Sequence, residues 1–109
     1  MNYVEFTAGG NDYKLRLTTR NIVGLEKSLG CNPLAIFGNG DKIPTITVMV
    51  QVLQASLTAL QSGISLDKAY EIFDSYLADG NSMTDFIQVI VDIYKASGLI
   101  PNEDAAAKN

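Results

Sequence analysis

The sequence predicts a mostly helical α+β domain, in which an N-terminal β-hairpin packs against about four α-helices. Two patterns lead to this prediction. Residues 12–18 alternate apolar and polar side chains, which is the period of a β-strand. After residue 20, apolar side chains recur at helical spacing between residues that favour helix ends. The length of 109 residues suits a single domain. We expect it to occupy residues 1–101, followed by a disordered tail at residues 102–109.

The predicted hairpin joins strands at residues 3–8 and 12–18. In the second strand Tyr13, Leu15 and Leu17 fall on one face, and the residues between them are charged or hydroxylated. Gly9 and Gly10 lie between the strands, and glycine readily adopts the positive φ angles that a tight hairpin turn requires. The hairpin should therefore bury the face that carries the leucines.

Four helices are predicted at residues 20–29, 46–61, 66–78 and 83–97, with a short turn at residues 34–37 and a loop at residues 38–41. Gly30 and Gly98 fit the C-terminal ends of the first and last helices, because glycine tolerates the left-handed conformation found there. Ser82 and Asp85 resemble a capping box at the start of the last helix. The predicted core comprises Leu15, Leu17, Ile22, Leu25, Leu29, Leu53, Leu57, Phe73, Leu77, Phe86, Ile90 and Ile93.

The composition excludes several classes of partner. The net charge of −4 argues against nucleic-acid binding, which depends on basic surface, and against adhesion to anionic membranes. The N-terminus lacks the basic and apolar regions of a signal peptide, and no apolar run is long enough for a membrane span. The single cysteine, Cys31, allows no internal disulfide, which fits a reducing compartment. We expect a soluble protein that is not exported.

Catalytic chemistry has little support in the sequence. The chain contains no histidine, which removes the usual general base near neutral pH and the commonest metal ligand. Asp67, Glu71 and Asp74 share one helix face and could in principle bind a divalent cation. Lys68 lies within the same face and the opposite face is apolar, which favours a solvated outer surface. We therefore expect no enzymatic activity, no catalytic residue, no metal site and no cofactor.

The apolar arcs of the last two predicted helices leave open which surface is available to a partner. One face of the helix at residues 66–78 carries Leu66, Ala69, Tyr70, Phe73 and Leu77, with Ile72 and Tyr76 on its flank. On the helix at residues 83–97, apolar side chains cover more than half of the circumference, whereas a surface helix needs an apolar stripe only slightly over 100° wide. The excess indicates either a central place in the core or a surface reserved for a partner. We predict that Ile72, Tyr76, Ile87 and Val91 contact a client protein.

The helix at residues 46–61 carries no charge, and Gln51 and Gln54 lie on its polar strip between Thr47 and Thr58. The strip fits the semi-exposed edge of a buried central helix. It also fits a neutral contact surface for another copy or for a client helix, because amides and hydroxyls can be satisfied by hydrogen bonds where charges would be costly to desolvate. Gln51 and Gln54 are therefore further candidates for partner binding.

Three segments carry a resemblance to a known family. The runs KLRLTTRNIVGLEKSLGCNPLAIF, IPTITVMVQVLQASL and MTDFIQVIVDIYKASGLIP resemble those of small tail assembly chaperones from prophages of Gram-positive bacteria, and together they extend over residues 13–101. The resemblance rests on the order of helices and turns and includes no catalytic motif.

The resemblance implies a phage protein that binds the tape measure protein and keeps it soluble in the host cytoplasm until the tail tube polymerises. Such a chaperone is expected to be absent from the mature virion. Contacts with the tail tube protein and self-association are further expectations. The alternative is a structural virion protein, either a minor tail subunit or a head–tail connector subunit, which would remain in purified particles.

Overall fold

The computed structural model describes residues 2–37 and 43–101. These residues form an antiparallel hairpin followed by four α-helices, which confirms the predicted fold class. The elements are β1 (Val4–Ala8), β2 (Asn11–Leu15), α1 (Thr19–Leu29), α2 (Ile46–Thr58), α3 (Leu66–Ala78) and α4 (Met83–Ala96), with a 3-10 turn at Pro33–Phe37. The loop predicted at residues 38–41 and the tail predicted at residues 102–109 lie outside the described residues.

The hairpin closes through a two-residue turn. Gly9 and Gly10 have φ angles of 59° and 78°, and two positive φ angles define the type I′ turn, whose twist matches that of the strands. The register pairs Phe6 with Tyr13, so that both side chains point to the face that packs on the helices. β2 ends at Leu15, earlier than the predicted residue 18. The next two backbone N–H groups leave the ladder: that of Arg16 donates to the Ser56 carbonyl of α2, and that of Leu17 donates to the Ser97 hydroxyl after α4.

The helix ends follow the local sequence closely. Ser82 and Asp85 form the predicted capping box: the Asp85 N–H donates to the Ser82 hydroxyl at 3.1 Å, and the Ser82 N–H donates to the Asp85 carboxylate at 2.8 Å. Gly98, with φ of 83°, follows α4, and the Leu99 N–H donates to the Tyr94 carbonyl at 2.9 Å. This is the Schellman arrangement, which brings Leu99 back onto the core.

Helix α2 lies at the centre of the molecule and contacts α1, α3, α4 and β2. Its inner side is apolar, and its single fully buried polar side chain, Ser56, donates to the Leu53 carbonyl at 2.9 Å. The sequence allowed two interpretations of this uncharged helix, and the first, a central helix whose inner side is buried, is correct. The polar strip with Gln51 and Gln54 remains half-buried on the outer side.

An aromatic cluster joins the hairpin to α3 and α4. Phe6 stacks on Tyr76 with ring centroids 5.0 Å apart, and Phe86 meets Phe73 edge-on at 5.2 Å. Phe86 also contacts Phe6 and Tyr76, at 6.0 Å and 5.6 Å. Such edge-to-face pairs contribute roughly 0.5–1.5 kcal/mol each beyond the burial of their area. The cluster therefore fixes the rotation of both helices against the sheet.

The predicted core is largely confirmed. Ile22, Leu29 and Leu77 are half-buried and pack against the core, whereas the other predicted members are fully buried. The buried residues that the periodicity did not select include Phe6, Met49, Val50, Val52, Ile72, Tyr76 and Tyr94. Helix α2 ends at Thr58 and not at the predicted residue 61, and the backbone continues in a tighter turn, in which the Leu60 N–H donates to the Leu57 carbonyl at 3.2 Å.

Candidate partner-binding groove

A surface groove runs between α1, α2 and the first turn of α3. Its volume is about 280 Å³, slightly below the roughly 300 Å³ at which small-molecule pockets begin. We call it the α1–α2 groove, and its lining is Arg20, Asn21, Gly24, Leu25, Ser28, Gln51, Gln54, Ala55, Thr58 and Leu66. An open groove of this size suits the side chains of a macromolecular partner better than a free ligand.

The floor of the groove is the uncharged polar strip of α2. The Gln54 amide donates to the Ile64 carbonyl at 3.1 Å, which ties α2 to the loop before α3. The Thr58 hydroxyl donates to the Gln54 carbonyl at 2.8 Å. Within the described residues, the Gln51 side chain has no hydrogen-bond partner. Its amide therefore remains available to both a donor and an acceptor on a partner.

The wall formed by α1 is low because it carries small side chains. Gly24 and Ser28 lie one helical turn apart, and the Ser28 hydroxyl donates to the Gly24 carbonyl at 3.2 Å. A Cβ atom added to Gly24 would meet no heavy atom within 4 Å. The groove thus has free space above Gly24, where another backbone or a small side chain can approach α1 closely.

The described lining of the groove carries a single charged side chain, Arg20. Arg20 is exposed at one end of the groove, and the described lining contains no carboxylate. Asn21 is occupied locally, since its side-chain oxygen accepts from the backbone N–H and the hydroxyl of Thr18. The groove therefore offers one cation above an otherwise neutral floor.

Helix α3 supplies apolar surface at the rim of the groove. Leu66 lines the groove with 42% of its side chain exposed, and Tyr70, one turn further along α3, is 44% exposed. Large apolar side chains with this exposure on neighbouring turns form a contact ridge that has no partner within the described residues. We call this pair the α3 ridge.

The predicted client-contact flank on α3 is wrong. Ile72 and Tyr76 are 3% and 6% exposed and belong to the core, whereas Leu66 and Tyr70, predicted to share the inner face, point outward. The apolar arc of α3 is wider than one packed stripe, so the sequence allowed more than one rotation. The aromatic cluster selects the rotation that buries Tyr76 against Phe6.

The structure separates the remaining predicted contact residues. Gln51 and Gln54 lie together on the floor of the α1–α2 groove. Ile87 and Val91 are half-buried on α4, which does not line this groove, and Ile87 packs against the core. The six candidates therefore do not form one surface.

Two buried tyrosines, Tyr94 and Tyr76, have raised pKa values that reflect their place in the core. Burial, with a smaller contribution from Cys31, raises the pKa of Tyr94, whose hydroxyl donates to the Pro33 carbonyl at 2.9 Å. Burial, and then the Asp85 carboxylate, raises the pKa of Tyr76. Among the described residues no group of three or more acidic or cysteine side chains is placed to hold a metal ion. No described helix is long and apolar enough to cross a membrane.

Comparison with known protein families places nearly the whole chain in one family. The profile of DUF6096, a family of unknown function, matches residues 4–109. The chain belongs to the DUF6096 family. No curated protein and no solved structure gives a significant match. The hairpin and the α1–α2 groove both fall within the DUF6096 match.

Sequence reasoning missed three parts of the surface of this DUF6096 protein. The α3 ridge was hidden because Leu66 and Tyr70 also fit the inner face of an amphipathic helix. Gly24 carried a usable signal, since a glycine inside a helix is unfavourable by about 1 kcal/mol relative to alanine unless its small size serves a purpose. Arg20 carried no signal in the sequence, because only the fold shows that it lies at the end of an otherwise neutral groove.

Proposed function

We propose that this protein is a tail assembly chaperone of a long-tailed phage, which binds the tape measure protein through the α1–α2 groove and the α3 ridge. The observation that carries the proposal is the combination of a neutral groove floor with exposed Leu66 and Tyr70 at its rim. The resemblance of residues 13–101 to such chaperones supports the same class of client. The action is non-covalent and has no need of a catalytic group.

The dimensions of the groove fit a helical client. The lining of α1 extends from Arg20 to Ser28, which at 1.5 Å per residue is about 12 Å, or roughly two helical turns. A partner helix lying in a groove is recognised through side chains on successive turns. Leu66 and Tyr70 provide apolar contacts for these side chains, while Gln51 can pair with a polar group beside them.

The neutral floor also fits a client that must be released. A tape measure protein is long and helical, and its exposed apolar stripes would aggregate if they were left uncovered in the cytoplasm. A groove of about 280 Å³ gives modest affinity per copy, so that many copies can cover the client and then leave as tail tube subunits replace them. Because one cation alone lines the described groove, binding should depend only weakly on salt.

Co-expression with the tape measure protein tests the proposal, with Leu66→Asp as the test variant. Val23→Asp is its matched control, because Val23 is 44% exposed on α1 and does not line the groove. We expect the wild type and Val23→Asp to co-purify with soluble tape measure protein, and Leu66→Asp to lose at least about 1.4 kcal/mol of binding, a tenfold change.

Two results would contradict the proposal. In the first, the tape measure protein fails to co-purify with the wild type, or both variants bind it equally well. In the second, the protein remains in purified phage particles in stoichiometric amounts, as expected for a tail or connector subunit and not for a chaperone. Circular dichroism of both variants shows whether a loss of binding reflects loss of the fold.

A further inference from the structure

We propose that the outer edge of β1 binds the same edge of a second copy of this chain, forming a continuous four-stranded antiparallel sheet. This inference concerns self-association and does not depend on the identity of the client. It rests on the contrast between the two edges of the hairpin and on the pairing that β1 permits with itself.

The edge of β2 is closed by the protein's own side chains and backbone. The Lys14 N–H donates to the Gln61 side-chain oxygen at 2.8 Å, and the Gln61 side-chain NH₂ donates to the Lys14 carbonyl at 2.9 Å. The Gln61 amide thus takes the place that a third strand would occupy. Beyond it, the Arg16 N–H donates to the Ser56 carbonyl at 3.1 Å. No strand can add to this edge without displacing these contacts.

The edge of β1 carries backbone groups that point away from the hairpin. Glu5 lies opposite Lys14 in the ladder. Because both backbone groups of Lys14 turn outward to Gln61, those of Glu5 must turn outward on the opposite edge. Thr7, two residues further along, has the same orientation. Within the described residues, the backbone groups of Glu5 and Thr7 have no hydrogen-bond partner, and both residues are exposed.

Proline, lysine and a bulge, three features that often protect an edge strand, are missing from β1, which carries one charge, Glu5. The strand VEFTA contains neither proline nor lysine, and its register with β2 is continuous, without a bulge. A regular edge of this kind is a template for the addition of another strand.

The side chains of β1 favour a second copy of the same strand. An antiparallel partner related by a two-fold axis can pair Glu5 with Glu5, Thr7 with Thr7, or Glu5 with Thr7. The first arrangement places like charges opposite each other, which is destabilising. The second leaves part of the strand unpaired. The third centres the axis on Phe6, pairs all of Val4–Ala8 with its copy and sets each Glu5 carboxylate beside a neutral Thr7, whose hydroxyl donates to Asp12 of its own chain at 2.7 Å.

Hydrogen exchange and molar mass together test this pairing. In the Glu5–Thr7 register, each of these residues exchanges backbone hydrogen bonds with the other copy, so both amide protons should be protected in the wild-type dimer. The contact is small, so we expect a monomer–dimer equilibrium that depends on concentration, followed by light scattering. Protection of the Glu5 and Thr7 amides should rise in parallel with the dimer fraction.

Thr7→Pro is the test variant, because it removes an outward N–H that the hairpin ladder does not use. Thr7→Val is its control, since it loses the same hydroxyl and keeps the N–H. We expect Thr7→Pro to be monomeric at concentrations where the wild type and Thr7→Val are dimeric. Far-UV circular dichroism of the variants monitors the fold.

Three outcomes would overturn the inference. In the first, the wild type is monomeric at every concentration. In the second, it dimerises while the Glu5 and Thr7 amides exchange freely, which places the interface elsewhere. In the third outcome the two amides become protected only when a client is added, and the occupant is then an extended client segment. If Thr7→Pro does not fold, exchange in the wild type still decides among these outcomes.

Discussion

The two sides of α2 differ in what their residues contact. Towards the hairpin, α3 and α4, the interior is apolar and is continuous with the interlocked rings of Phe6, Phe73, Tyr76 and Phe86. Towards α1, the outer side of the same helix carries the amides of Gln51 and Gln54 beneath an open groove. The difference indicates that much of the stability resides in the aromatic side, while the groove side also presents small or uncharged residues, such as Gly24 and Gln51, that have no packing role.

The largest effect should come from removing a ring of the aromatic cluster. Phe86 is fully buried and contacts three other rings. Phe86→Ala should therefore lower the free energy of unfolding by roughly 3–5 kcal/mol, measured by denaturant titration. Binding per folded molecule should be unchanged, because Phe86 does not line the groove. A loss below about 1 kcal/mol would show that stability is not concentrated in the cluster.

High pH should lower the free energy of unfolding through two buried tyrosines, Tyr76 of the aromatic cluster and Tyr94 of α4. Burial raises the pKa of Tyr94 and of Tyr76 above the ordinary tyrosine value of 10.0. The folded protein therefore holds both phenol protons after the unfolded chain begins to lose them, and the free energy of unfolding should fall as pH rises above about 10. The slope is at most about 1.4 kcal/mol per pH unit for each group.

Urea titrations across this range would detect the effect. The matched control is Tyr70→Phe, which makes the same chemical change at an exposed side chain. Tyr94→Phe should flatten the slope. Stability that stays constant well above pH 10 in the wild type would contradict the proposed burial of the phenols.

A smaller effect is expected from the hydroxyl of Tyr94 itself at neutral pH. Tyr94→Phe retains the ring and leaves the buried Pro33 carbonyl without its donor at 2.9 Å. The expected loss is about 1–3 kcal/mol of unfolding free energy, the penalty of an unsatisfied buried acceptor. Thermal unfolding of the variant measures it, and an unchanged midpoint would show that water replaces the phenol.

Local signals predicted most of the fold. The Gly9-Gly10 turn, the capping box of Ser82 and the glycine after α4 each depend on residues close together in sequence, and each is confirmed. The rotation of α3 could not be predicted, because its wide apolar arc allows several rotations and the choice depends on Phe6, far away in the sequence.

The candidate surfaces were less accessible to sequence reasoning. The polar strip with Gln51 and Gln54 is a local pattern, and its outer position followed from it. The groove itself requires the distance between α1 and α2, and the closed edge of β2 requires Gln61 to meet Lys14, which lies 47 residues earlier. Such contacts between distant residues leave no periodic trace in the sequence.

The most direct test of the division between the two sides is one variant measured in two ways, Gly24→Leu. A leucine favours the helix more than glycine by roughly 0.5–1 kcal/mol, and the space above Gly24 is open, so the free energy of unfolding should rise. The same side chain fills the groove, so the affinity for the tape measure protein should fall at least tenfold, or about 1.4 kcal/mol. Val23→Leu, on another side of α1, should leave the affinity unchanged. Increased stability with undiminished affinity would contradict the assignment of binding to the α1–α2 groove.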